Sequence, residues 1–154
     1  MFREMRRNEK QLSEEETIEV LKSAEEGVLA TIGDNDYPYA VPLNYTYDSG
    51  SIYFHCAVSG QKTDNMEHNS RVSFCVVTDT EILPAKFATN YKSVIVFGRA
   101  VELFDDDMKV GLRALINRFS SDHVEAGEKY INAAIHKTRV FKLDIEHMTG
   151  KATQ

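Results

Sequence analysis

Residues 37–47 read YPYAVPLNYTY. Tyrosine, valine and threonine favour extended backbone, and turn formers bound the stretch, Gly33-Asp34-Asn35-Asp36 before it and Asp48-Ser49-Gly50 after it. The reading is a β-strand with Pro42 in its middle. Proline cannot donate to a ladder, so this strand is expected at a sheet edge, or split open, around Val41 to Asn44. An open edge leaves backbone groups free for a planar heteroaromatic ligand, and Asn44 adds a side-chain donor and acceptor. The same pattern also describes a plain edge strand guarded by its proline.

Working outward, Val28 to Ile32 and SIYFHC (51–56) read as strands on either side, and the short turns predict a three-strand meander. Upstream, Ser13 and Glu16 form a capping box ahead of Ile18, Leu21 and Ala24 at helical spacing, with Gly27 as the stop. Downstream, a short helix is expected over 61–69, then the alternating strand RVSFCVVT (71–78). A loop through Pro84 leads to the long strand YKSVIVFGRAVEL (91–103). Asp105 opens a helix with Met108, Leu112, Leu115, Ile116 and Phe119 on one face. Asp122 and Glu125 suggest a second capping box before Tyr130 and Ile131, and RVFKLDIEHM (139–148) is the last strand. Six strands with short connections predict a small, mainly β domain, an antiparallel barrel with peripheral helices. Neither βαβ crossovers nor GxGxxG supports a doubly wound dinucleotide fold.

The length, 154 residues, suits one domain, and 42% hydrophobic with 27% charged residues excludes a disordered chain. Residues 1–12 carry Arg3, Arg6, Arg7 and Lys10 diluted by Glu4 and Glu9, and read as a mobile, solvated arm. A net charge of −6 argues against nucleic acid as partner. The N-terminus lacks the apolar core of a signal peptide and no apolar run could cross a bilayer, so no membrane partner and a cytoplasmic location are expected. Cys56 and Cys75 fit no zinc spacing and are expected as free thiols. The five histidines show no metal spacing, and no metal is expected.

Residues 54–62, FHCAVSGQK, leave a strand and start a helix. His55 faces away from Ile52 and Phe54. Ser59 and Gly60 make a turn, and Lys62 supplies a cation in the first helical turn, where free amides and the helix dipole attract an anion. The first glycine of a nucleotide P-loop is missing, which disfavours a triphosphate. Farther on, Tyr91, Ser93, Ile95 and Phe97 share one strand face, and Gly98 marks a bulge or a close approach. Taken singly, each of these features is also ordinary surface structure.

In combination, YPYAVPLNYTY, GSIYFHCAVSGQKTDNM, NSRVSFCVV, YKSVIVFGRA and MTGK resemble, in order and spacing, the pyridoxamine 5′-phosphate oxidase-related flavoproteins, most of all the nitroimidazole-resistance branch. The resemblance runs over nearly the whole chain. It implies a split β-barrel homodimer with FMN at the subunit interface. Carried onto this sequence, it places Val41, Pro42, Leu43 and Asn44 along the isoalloxazine, and His55, Cys56 and Ala57 along the ring and ribityl chain. Gly60, Gln61 and Lys62 would cradle the phosphate, with Tyr91 and Ser93 approaching the flavin from the partner subunit. Gln61 stands where the wider family usually has arginine, one cation fewer at the phosphate.

The implied activity is two-electron reduction, with a small-molecule electron donor reducing FMN and a nitroimidazole-like acceptor taken toward the amine. His55 is the candidate catalytic residue, as proton donor or orienting group, because an imidazole titrates near neutrality. Packing against the flavin is its other reading. True pyridoxamine 5′-phosphate oxidase activity is disfavoured, since only Lys151 is basic near the C-terminus. A non-catalytic carrier or sensor holding flavin, haem or deazaflavin on the same fold is the alternative.

Overall fold

The computed structural model describes residues 1–154. Helix α1 (Glu14–Ser23) precedes β1 (Glu26–Ile32), β2 (Pro38–Asn44), β3 (Thr46–Asp48) and β4 (Ser51–Ala57). Then come α2 (Gln61–His68), β5 (Arg71–Leu83), β6 (Ala88–Leu103), α3 (Asp105–Phe119), α4 (Val124–Ala134) and β7 (Thr138–Thr153). All seven strands join one antiparallel sheet in the order β2-β1-β5-β6-β7-β4-β3.

The expected single strand over 37–47 is two strands, and this break makes the barrel. β2 pairs only with β1, and β3 only with β4, so the two lie at opposite ends of the strand order. Yet only Tyr45 separates them in sequence. The sheet must therefore roll until its two edges meet, leaving a split antiparallel barrel whose ladder does not close. The predicted meander is corrected accordingly: the strand of residues 51–57 pairs with β7 and β3, not with β2. Tyr45 is fully buried, packs edge-on against Phe74 with centroids 4.8 Å apart, and donates its hydroxyl proton to the Leu21 carbonyl. That bond ties the crossing point to α1.

Alternation fills the barrel. Leu29, Ile52, Phe54, Phe74, Val76, Val94, Val96 and Leu143 are buried, and their strand neighbours point out. A second small cluster, Met108, Leu112, Ile131 and Val140, fastens α3 and α4 to β7. Gly127 lets the two helices touch, because a Cβ there would meet Ile116 at 2.8 Å.

The Ser13–Glu16 capping box forms. The one expected from Asp122 and Glu125 does not. A 3-10 turn covers Ser121–His123, and α4 starts after His123 without a side-chain cap. Asp105, Asp106 and Asp107 occupy the first turn of α3 rather than its cap, where their charge suits the helix dipole. Gly27 does not stop α1, which ends at Ser23. It lies inside β1, where the Phe74 ring leaves no room for a Cβ. β5 and β6 run beyond their expected ends and form a two-stranded ribbon closed by a turn at Pro84–Lys86. The N-terminal arm lies on the sheet: Phe2 stacks on His147 and Phe97 at 4.8 and 5.3 Å, and Leu12 donates to the Gly150 carbonyl.

Candidate functional site

The split brings Asn44 and His55 together. Thr46 pairs with Tyr53 across β3 and β4, and two more residues along each chain set Asn44 level with His55. Both residues are exposed on the outer face and line one cleft of about 570 Å³, within the range of small-molecule sites. Its far wall is helical, with Leu112, Leu115, Ile116 and Phe119 of α3, then Ser120, His123 and Tyr130. Glu25 is the only carboxylate in the lining, which holds no lysine or arginine. A second cleft of about 480 Å³ continues past His55 and Tyr130 along Ala57 to Lys137 and Thr138. The two share His55 and Tyr130, so they form one groove along β4 under α4.

Asn44 donates from Nδ2 to the Glu25 carbonyl at 3.1 Å, which fixes its amide and leaves Oδ1 without a protein partner. Pro42 sits on the same outward face of β2, while Val41 and Leu43 pack inward against the core. Although His55 is exposed as a residue, partial desolvation of its ring, aided by the Lys62 charge, lowers its pKa below the usual imidazole value. Its resting form at neutral pH is the uncharged ring. Cys56 belongs to the core cluster, and burial raises its thiol pKa. It also lines the second cleft, and Ala57 beside it is exposed.

Gly60 caps α2 with φ 155°, and no side chain occupies that end, so the first-turn amides of Gln61 and Lys62 are free. Lys62 is in no ion pair. Its charge is felt at both His55 and Cys56. Free amides with one unpaired ammonium are a donor set that fits a phosphate.

Two contacts hold this helix in place. Asn65 donates to Thr31 at 3.0 Å inside the protein. Arg139 of β7 donates to Glu67 at 2.7 Å, to Glu102, and to the Val58 carbonyl at 3.4 Å. Sequence reading missed Arg139, because a charge in a strand carries no signal of its partners. It also missed His123 and Tyr130 as cleft residues, since only packing decides which helix face meets the split.

Tyr91 and Ser93 are not brought to His55 within one chain. Ser93 pairs with Val77 of β5, and β1 and β2 follow before the split and β4. Four strand steps make roughly 19 Å around the outside of the barrel. The Tyr91 hydroxyl accepts from Lys151 Nζ at 2.7 Å.

The sequence profile of the family described as pyridoxamine 5′-phosphate oxidase matches residues 13–152. The chain belongs to this family. No curated protein matches it in sequence. Among solved structures, an FAD-binding protein from Mesorhizobium loti is 28% identical with a TM-score of 0.65, over 94% of this chain and 97% of that one. A candidate 5-nitroimidazole antibiotic resistance protein from Bacteroides thetaiotaomicron has a TM-score of 0.81 at 18% identity, over 92% and 86% of the two chains. An FAD and haem binding protein from Mycobacterium smegmatis has a TM-score of 0.83 at 18% identity, over 94% and 74%. The last two likenesses concern the fold alone. No helix of this family member is long and apolar enough to cross a membrane.

Proposed function

We propose that this protein is a homodimeric flavoprotein that binds FMN at the split and reduces small aromatic, nitroimidazole-like acceptors. The observation that carries the reading is the alignment of three features along one strand and its following turn. Asn44 and His55 face one cleft, Ala57 continues the groove, and the uncapped start of α2 with unpaired Lys62 follows. An uncharged ring system, a polar chain and a phosphate in series match that order. FAD is the second reading, favoured by the FAD-binding relative at 28% identity.

When bound, the flavin supplies two-electron hydride chemistry. The chain's own residues do the rest. The α2 amides and Lys62 hold the phosphate. Asn44 Oδ1 accepts from a ring N–H, and the uncharged His55 imidazole orients the acceptor by hydrogen bonding. One observation supports the dimer: the outer sheet face exposes Val28, Val77, Ile95 and Phe97. If Ser93 is to approach a ring at His55, as the resemblance implies, it must come from a second copy.

The test is the visible spectrum of the purified protein with the released chromophore weighed, followed by donor-dependent reduction of a nitroimidazole. A flavin spectrum with an FMN mass and turnover is the expected result. A colourless protein that takes up neither FMN nor FAD would overturn the reading, and bound flavin without turnover would reduce it to a carrier or sensor.

A further inference from the structure

The β5–β6 ribbon is the feature that the proposed site does not explain. β7 reaches the ribbon as far as Thr153, which pairs with Tyr91 and donates its hydroxyl to the Thr89 carbonyl. Beyond that the two strands pair only with each other, and the turn at Pro84–Lys86 carries Phe87 at 98% exposure and φ 50°. Ile82 on the same ribbon is 71% exposed. A non-glycine residue in the left-handed region costs stability, and here it holds a phenyl ring fully in water. Neither feature benefits an isolated chain.

We propose that the ribbon of one protomer docks in the helix-walled cleft of its partner, with Phe87 on the apolar floor made by Leu115, Ile116 and Phe119. The proposal rests on the interface reading above, in which Tyr91 and Ser93 of one copy meet His55 of the other. From Tyr91 the ribbon runs four more residues to Phe87, about 13 Å of extended chain. Charge agrees with this seat. The tip carries one cation, Lys86, and the cleft lining holds a single carboxylate, Glu25, with no lysine or arginine. The α3 side of the cleft offers the apolar contact that Phe87 lacks in its own chain. The partner's ribbon then closes the acceptor side of each site, and Phe87 contacts the acceptor in trans.

The chain has no tryptophan, so Phe87→Trp places a single fluorescent reporter at the tip. The ring it replaces makes no packed contact within the chain, and the substitution should leave folding unchanged. The expected result is a blue-shifted emission at concentrations where sedimentation shows a dimer, moving red as dilution separates the copies. Lys86→Glu should weaken the dimer severalfold, and Glu25→Lys added to it should restore part of the loss. A dimer of the Phe87→Trp variant whose emission stays that of an indole in water would overturn the docking while leaving the interface standing. A chain monomeric at every concentration would overturn the interface reading first and the docking with it.

Discussion

The Arg139 guanidinium sits in the fork of the Glu102 carboxylate, with Nε donating to Oε2 at 3.1 Å, and joins β7 to β6 beneath the turn that leads into α2. The Glu102 hydrogen bonds raise the pKa of Arg139, despite a smaller opposing effect of burial, so the pair stays ionised. Their side chains are only 17% and 22% exposed. Because the same guanidinium also reaches Val58 and Glu67, one side chain ties the turn before α2 and α2 itself, the proposed phosphate cradle, to β7.

Arg139→Gln should therefore cost about 3 kcal/mol in urea denaturation, since Glu102 is left largely buried and unpaired. FMN affinity should fall while riboflavin affinity holds, because only the phosphate depends on the turn. Arg139→Lys keeps the charge without the fork and should lie between. Equal losses for both flavins would show that Arg139 supports the fold and not the cradle.

His55 sets an acid limit. Its pKa is lowered in the folded protein, first by partial desolvation and then by Lys62, so the folded state binds its proton less readily than the unfolded chain does. The stability this confers is complete above the ordinary imidazole pKa of about 6.5 and is lost as pH falls through the lower folded value. The melting temperature of wild type should fall relative to that of His55→Gln as the pH is lowered. A gap constant across that range would contradict the shift.

Gly98 sits at the register shift between β6 and β7, and a Cβ there would lie 2.0 Å from the Asp144 carbonyl oxygen. Backbone cannot yield as a side-chain tip can. Gly98→Ala should cost about 1–3 kcal/mol, measured by chemical denaturation. A neutral result would mean that the bulge slips to make room.

Tyr45→Phe removes the hydroxyl that satisfies the Leu21 carbonyl and should destabilise by about 1–3 kcal/mol. Because this bond pins the crossing between β2 and β3, amide exchange should quicken there before it does in β6. Uniform quickening across the sheet would place the loss elsewhere.

Much was legible in the sequence by itself. Alternation in 71–78 and 91–97 defined the strands and their outer face. Pro42 marked an edge, the Ser13–Glu16 spacing defined a helix start, and Gly60 with Lys62 marked the start of α2. These are local properties, governed by a residue's own backbone preference and its near neighbours. Only the tertiary structure decided that residues 37–47 break at Tyr45 and serve both edges of the sheet. The same holds for Asn44 meeting His55 across the split, and for His123 and Tyr130 facing them from the turn after α3 and from α4. The physical reason is that strand pairing and helix packing are settled by contacts between distant residues, so one extended stretch reads the same whether its halves share a partner or part at a split.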